Sequence, residues 1–303
     1  MNICDIPFFQ NKNLVIHKNI YSNDLYPSCF LVSCDLVNYK VRFASDFNPY
    51  SVIREYNALT YLKSIGKIQN IDIFEVKTNG NPKTHYLVES FFAGKSLEKY
   101  TSDELIPYYS LIVDKLSSFL HEIHSLKNDK FNSFINDNYE TYLDMLNERL
   151  NRHIQAIGVY ENAFSTSLYE LVKKIQERIP MSNIIPSFLH FDFKPQNIIF
   201  HEETLNINVI DFEHSRFGDP LHELIRSKHR VMKKELHLQQ LWSKIEYEYI
   251  KKSNIVINSH WVLFYQLYYY IAELPYLFRI KDTATIIKTK NAIEYIASND
   301  FPF

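Results

Sequence analysis

Glycine is scarce in this chain, with five among 303 residues, so little of the backbone can take positive φ without strain. The polar stretch between Ile20 and Phe30 contains none. Cysteine is rarer still. Cys4, Cys29 and Cys34 make an odd count without a C-x-x-C pair or a His-rich partner for zinc, a usage that fits a reducing, cytoplasmic setting. Long apolar runs are missing: the longest, Trp261 to Ala272, is broken by Gln266 and stopped by Glu273 and Pro275. It reads as a buried helix and not as a membrane span. Residues 1–10 lack the basic and apolar regions of a signal peptide, so nothing there suggests export. An excess of one charge is absent as well. The 33 basic and 35 acidic residues are dispersed and leave a net charge of -2, which gives no field to draw in nucleic acid. Neither nucleic acid nor a membrane is an expected partner, and no repeat or low-complexity tract is present.

What the chain has is apolar and aromatic substance. Hydrophobic residues make 46% and aromatics 15%, with 22 Tyr and 22 Phe, enough for a filled core in two lobes. Three antiparallel strands are expected between Leu14 and Phe43, where Tyr39, Val41 and Phe43 alternate with Lys40 and Arg42. A helix follows over 51–65 through Val52, Tyr56, Leu59 and Leu62, ending at Gly66. Two more strands, at 71–77 and 84–90, flank the turn at Asn79 to Pro82. Gly94, where the chain leaves this sheet, marks a boundary between residues 1–94 and 95–303. Helical periodicity dominates beyond it, over 112–126, 139–157, 163–178, 219–251, 259–279 and 283–297. The class is α+β, a five-stranded antiparallel sheet with one helix followed by a mainly helical lobe.

The chemistry concentrates in residues 187–213, where two short apolar strands carry polar residues in fixed positions. Asp192, Asn197 five residues on and Asp211 nineteen residues on are the parts that phosphoryl transfer needs: a carboxylate facing an acceptor hydroxyl and two oxygen ligands for Mg²⁺. His190 reads as scaffolding that fixes neighbouring backbone through its ring. Lys194 reads either as a contact to a γ-phosphate or as solvated surface, and the sequence leaves both open.

The run His190-Phe-Asp192-Phe-Lys-Pro-Gln-Asn197, followed by Ile-Asp211-Phe-Glu213, resembles the aminoglycoside phosphotransferase and choline kinase family of small-molecule kinases with a protein-kinase-like fold. Other segments extend the resemblance over most of the chain: Arg54-Glu55-Tyr-Asn-Ala-Leu59, Tyr86-Leu-Val-Glu89 with Gly94, Leu120-His-Glu-Ile-His124 and Phe217-Gly-Asp219-Pro220. The resemblance implies an ATP- or GTP-dependent, Mg²⁺-requiring kinase. Asp192 and Lys194 would be its catalytic residues, and Asn197 and Asp211 its metal ligands. It also implies a basic residue on the third strand for the α- and β-phosphates, Arg42, with Lys40 as the same-face alternative, paired to Glu55. Backbone of Glu89 to Phe91 would meet the nucleobase. Ser28, with Ser22 and Asn23, is a candidate near the phosphates in place of glycine.

A protein kinase is disfavoured: Phe191 stands where the catalytic-loop arginine is expected, Glu213 replaces the Asp-Phe-Gly glycine, and no Ala-Pro-Glu follows. The separation of 103 positions from Glu89 to Asp192 leaves room for extra helices beside an acceptor pocket. That acceptor is expected to be a small-molecule hydroxyl, with an aminoglycoside-type antibiotic favoured by the resemblance and a choline, amino-alcohol or sugar substrate as the alternative. Glu213, Asp219, Glu223 and Glu273 are candidates for an acidic wall and Tyr269 for ring stacking. Residues 137–180 and 219–301 nonetheless carry 16 acidic against 17 basic side chains, without the excess a polycation would select. A non-catalytic kinase-like binding module is the reading from another class.

Overall fold

The computed structural model describes residues 3–21, 29–44, 48–67, 71–81, 84–135, 137–177, 179, 184–255 and 257–298. In chain order the elements are β1 (Leu14–Tyr21), β2 (Cys29–Cys34), β3 (Val37–Phe43), α1 (Ser51–Ser64), β4 (Ile73–Lys77), β5 (Tyr86–Ser90), β6 (Lys95–Ser96), α2 (Ser102–Leu105), α3 (Tyr109–His124), α4 (Tyr142–Gly158) and α5 (Asn162–Gln176). After them come β7 (Ser187–Leu189), β8 (Ile198–His201), β9 (Asn206–Val209), β10 (Arg216–Gly218), α6 (Pro220–Val231), α7 (Leu236–Ser253), α8 (Ser259–Ile280) and α9 (Thr283–Ser298). They pack into two compact units. One holds Met1–Leu105, Ser133–Asp137 and His190–Arg216, the other Ile106–Asn132, Asn138–Leu189 and Phe217–Phe303.

In the first unit β1, β2, β3, β5 and β4 lie side by side in that order, each pair antiparallel. Because successive side chains of a strand alternate between faces, the sheet has two unlike surfaces. Tyr39, Val41, Tyr86 and Val88 bury one face under Ile3, Ile6 and Phe9 of two short N-terminal 3₁₀ turns. Phe8 adds edge-to-face contacts with Phe9 and Tyr39. The other face carries Lys40, Arg42 and Glu89, with Lys40 directly opposite Glu89 across β3 and β5. Here α1 brings up Glu55, buried on the same helical face as Val52, Leu59 and Leu62. The chain then forms a small three-stranded sheet, β6-β8-β9, that carries the segment with Asp192 and Asp211 at its ends.

The second unit is helical. Its centre is α8, which buries Trp261, Phe264, Tyr265, Leu267, Tyr268 and Tyr269 and packs on α4, α6 and α9. Burial of such side chains contributes about 1.5–3 kcal/mol each. Asn258 caps its N-terminus by accepting from the amides of His260 (3.0 Å) and Trp261 (3.2 Å). The stretch 219–251 resolves into α6 and α7, separated by Met232–Glu235, and the segment 187–209 holds three strands where the apolar pattern suggested two. Among the described residues no helix is long and apolar enough to cross a membrane.

Gly94 sits where the main sheet hands over to the small one. Its φ is +118°, and a Cβ there would lie 2.3 Å from the carbonyl oxygen of Phe200 and 2.9 Å from the carbonyl carbon. Phe200 pairs with Lys95 in the β6–β8 ladder, so that backbone cannot yield without breaking the ladder. Gly94→Ala is therefore expected to destabilise by about 3 kcal/mol or more. Gly80→Ala, at φ +77° in open space, should cost only about 1 kcal/mol of backbone strain. Urea midpoints of the two variants check this, and equal midpoints would refute it.

Candidate active site

The segment from β7 to β9 is held by its histidine. The ring of His190 donates from Nε2 to the carbonyl of Ile210 (2.9 Å) and accepts at Nδ1 from the amide of Asp192 (3.2 Å), which sets its tautomer and ties the two aspartate-bearing stretches together. Phe191 and Asp211 both adopt left-handed backbone, with φ of 60° and 71°. The guanidinium of Arg216 covers the Phe191 ring at 3.6 Å. Asn197 ends a single 3₁₀ turn opened by Pro195 and turns its amide nitrogen onto the carbonyl (3.0 Å) and Oδ2 (2.9 Å) of Asp192. Lys194 Nζ lies 2.5 Å from the same Oδ2. The lysine that the sequence left between two roles is thus turned onto Asp192.

Arg42 lies at the focus of the carboxylates. Its guanidinium donates to Glu55 Oε2 (2.5 Å), to Asp211 Oδ1 (2.7 Å) and to Glu213. Glu55 uses its other oxygen to accept from the amide of Phe212 at 3.2 Å. Arg42 therefore takes the pairing with the helix glutamate, and Lys40 stands farther off, 3.8 Å from Glu55. Burial opposes the charge on Arg42, but Glu213, Glu55 and Asp211 more than offset it and hold the guanidinium ionised. Burial also works against ionised Asp211, yet Arg42 and Lys40 keep its carboxyl below the ordinary value. Burial raises Glu213 to about 7, against the pull of Arg42 and with Asp211 and Glu55 adding to it.

Around this point five carboxyls, on Glu55, Glu89, Asp192, Asp211 and Glu213, face three cations, Lys40, Arg42 and Lys194. Such a deficit of positive charge, beside the hard oxygen donors of Asp211 and Asn197, suits Mg²⁺, which is bound by one or two carboxylates together with substrate phosphates. The residues present fit the ion that the resemblance implies.

A cavity of about 510 Å³ opens beside the cluster. Glu55 and Asp211 line one part of it. Ser90, Phe91 and Phe92 of the segment leaving β5 line another, with Cys29, Leu31 and Ile71 among the apolar walls. Lys40 and Glu89 stand on the wall as an ion pair, Nζ to Oε1 at 2.6 Å. Burial opposes the Lys40 ammonium but Glu55 and Glu89 outweigh it, so its pKa rises. Glu89 is pushed up to about 7, by burial first and by Glu55, with Lys40 pulling the other way. Sequence reasoning enlisted Glu89 for its backbone alone and missed this side-chain pair. It also missed Gln196 and Glu98, bonded at 2.6 Å on the cavity wall. Strand register, which places Lys40 against Glu89, is the signal that would have found the pair. Ser28, with Ser22 and Asn23, lies outside the described residues.

The residues proposed for an acceptor wall are not gathered there. Glu213 belongs to the Arg42 cluster, with Asn48 donating to it at 3.4 Å. In the second unit Asp219 caps α6 through the amide of Leu221 (2.9 Å) and accepts from the Tyr265 hydroxyl (2.6 Å). Glu223 is buried against His124 Nε2 at 2.7 Å. Hydrogen bonds from His229 and Lys233 pull Glu273 down to about 2. Tyr269 is buried at 5% exposure, its ring stacked on His229 at 5.8 Å.

The raised Glu89 has a measurable consequence. A carboxyl whose folded pKa lies near 7, above the ordinary 4.5, holds its proton more tightly folded than unfolded. It therefore costs stability as pH rises through that window. Between pH 5 and pH 8 the ligand-free protein should lose on the order of 2 kcal/mol relative to Glu89→Gln. Urea unfolding of both proteins at the two pH values checks this, and parallel pH dependence would contradict it.

A model described as the phosphotransferase enzyme family matches residues 38–236. No curated protein matches by sequence. Among solved structures, a thermostable mutant of aminoglycoside phosphotransferase APH(4)-Ia, in a ternary complex with ADP and hygromycin B, superposes with TM-score 0.69 at 13% identity, over 96% of this chain and 95% of its own. A fructosamine-3-kinase homologue from Haemophilus somnus 129PT gives 0.62 at 16% identity, over 93% and 92%. The GDP complex of aminoglycoside 2'-phosphotransferase-IIIa gives 0.58 at 13%, over 98% and 96%. Matched by that model over more than half its length, the chain belongs to the phosphotransferase enzyme family and is a small-molecule kinase of protein-kinase-like fold.

Proposed function

We propose that the chain transfers the γ-phosphoryl group of a nucleoside triphosphate, ATP before GTP, to a hydroxyl of a small molecule. The observation that carries this reading is the convergence of Asp192, Asn197 and Asp211 with the Arg42–Glu55 pair in one compact unit that also holds a nucleotide-sized cavity. Asp192 is assigned to the acceptor: its carboxylate takes a hydrogen bond from the hydroxyl, aims the oxygen in line with the phosphorus and accepts the proton late, because the transition state is loose. Lys194, 2.5 Å from Asp192, holds that carboxylate in place on the γ-phosphate side. Arg42, oriented by Glu55, is assigned to the α- and β-phosphates. Asn197 and Asp211 are assigned to Mg²⁺, which when bound would neutralise charge on the phosphate oxygens. Residues 1–94 then serve the nucleotide, with backbone of Glu89 to Phe91 at the base, and the chain beyond serves catalysis and the acceptor.

For the acceptor, the aminoglycoside class is the first reading, supported by structural relatives solved with hygromycin B and with kanamycin. A second reading, a less cationic hydroxyl compound such as a sugar derivative or an amino alcohol, is favoured by a specific observation. Asp219, Glu223 and Glu273 already pair with Tyr265, His124, and His229 with Lys233, and a polycation would have to displace those partners. A phosphate-transfer screen over aminoglycosides, sugars and their amine adducts, and amino alcohols separates the two.

Asp192→Asn should lower kcat by about 10³-fold or more, the scale of a lost acid–base and positioning group, while nucleotide affinity stays within a few-fold. Retained turnover would remove Asp192 from its role. ATP with Mg²⁺ at about a hundred times its Kd should stabilise the fold by about 2.7 kcal/mol, read as a rise in Tm. An unchanged Tm at millimolar ATP and GTP would favour a non-catalytic binding module.

A further inference from the structure

The Lys40–Glu89 pair is placed oddly for a structural ion pair. It sits on the wall of the cavity, not at the rim of the protein, with Glu89 4% exposed and the Lys40 side chain 14%. Desolvating two charges costs more than burying an apolar pair of similar volume, so stability alone is a poor reason for it. Its location is specific. Glu89 is the penultimate residue of β5, Ser90 ends the strand, and Phe91 and Phe92 continue along the cavity. Lys40 faces Glu89 across the ladder and lies between it and Glu55, at 2.6 Å and 3.8 Å. A planar base placed against the chain at Ser90–Phe92, with its phosphates toward Glu55 and Asp211, would bring its inner edge onto the pair.

Resting on the nucleotide-dependent reading above, we propose that Lys40 and Glu89 together read the nucleobase and select adenine over guanine. An acceptor oxygen beside a donor nitrogen is what an Asn or Gln amide offers when it binds adenine at N6 and N7. The ion pair offers the same sequence of groups: Glu89 accepts from the N6 amino group and Lys40 donates to N7. Guanine shows two acceptors on that edge, O6 and N7. Lys40 satisfies one, and O6 meets the Glu89 carboxylate. The preference thus comes from a mismatch with guanine as much as from a match with adenine.

The test is a set of dissociation constants on the full chain with Mg²⁺ at pH 8.5, where Glu89 is a carboxylate, by calorimetry, for ATP, GTP and 7-deaza-ATP, which lacks the N7 acceptor. Wild type should bind ATP at least about tenfold more tightly than GTP and than 7-deaza-ATP, the low end of discrimination by a two-bond base contact. The double variant Lys40→Met/Glu89→Met, which strands neither charge, should bring all three nucleotides within about threefold of one another by the same reasoning. Equal wild-type affinity for ATP and GTP, or for ATP and 7-deaza-ATP, overturns the proposal without touching the phosphotransferase reading, and needs no variant to fold. A preference that survives in the double variant overturns it as well. Binding of none of the three overturns both readings together.

Discussion

One guanidinium holds the candidate site together. Arg42, the penultimate residue of β3, reaches Glu55 on α1 and both Asp211 and Glu213 beyond β9, so helix, sheet and candidate catalytic segment of the first unit share one charge. A buried arginine is tolerable only when paired, and this one is paired threefold. The arrangement runs both ways. Without Arg42 three carboxyls would be left in a low-dielectric pocket, and without them the guanidinium would have to leave it. Local order around the candidate metal ligands follows from that mutual dependence.

The cluster is nevertheless unbalanced. Lys40, Arg42 and Lys194 do not neutralise Glu55, Glu89, Asp192, Asp211 and Glu213, and burial, with the neighbouring carboxylates adding to it, pushes Glu89 and Glu213 up to about 7. A site that chiefly served the fold would not gather more buried acid than base, since each unpaired charge costs several kcal/mol. A site that awaits a divalent cation has reason to. Asp211, kept below the ordinary carboxyl value by Arg42 and Lys40 against its burial, is the candidate metal ligand among them.

Most of this was legible in the sequence because it lies in local pattern. Strand alternation gave β3 and its two basic residues, helical spacing gave α1 and Glu55, and the Asp192, Asn197 and Asp211 spacing sits inside a single short segment. What was not legible depends on pairing between distant segments. Whether Lys40 or Arg42 meets Glu55 turns on the register of β3 against α1. That Lys40 meets Glu89 turns on the register of β3 against β5, which no residue in either strand announces by itself. The partners of the acidic candidates were hidden for a related reason. Asp219, Glu223 and Glu273 look available in one dimension, yet their partners Tyr265, His124 and His229 come from 46, 99 and 44 residues away.

The shortage of glycine also has its structural answer. Among the described residues nine non-glycine positions take positive φ and three glycines do, so the chain bends with side chains in place. Some are ordinary caps and turns, such as Asn254 and Lys281 after α7 and α8, or Asp35 and Leu36 between β2 and β3. Phe191 and Asp211 differ, because left-handed backbone costs each about 1 kcal/mol or more and both flank the candidate catalytic segment. The strain is held from outside. Arg216 covers the Phe191 ring, Arg42 grips the Asp211 carboxylate, and Glu55 secures the next amide at Phe212. Glycine at residue 211 would relieve the backbone and lose the carboxylate. An aspartate there keeps the candidate metal ligand, and the same Arg42–Glu55 pair that orders the cluster then holds the backbone beneath it.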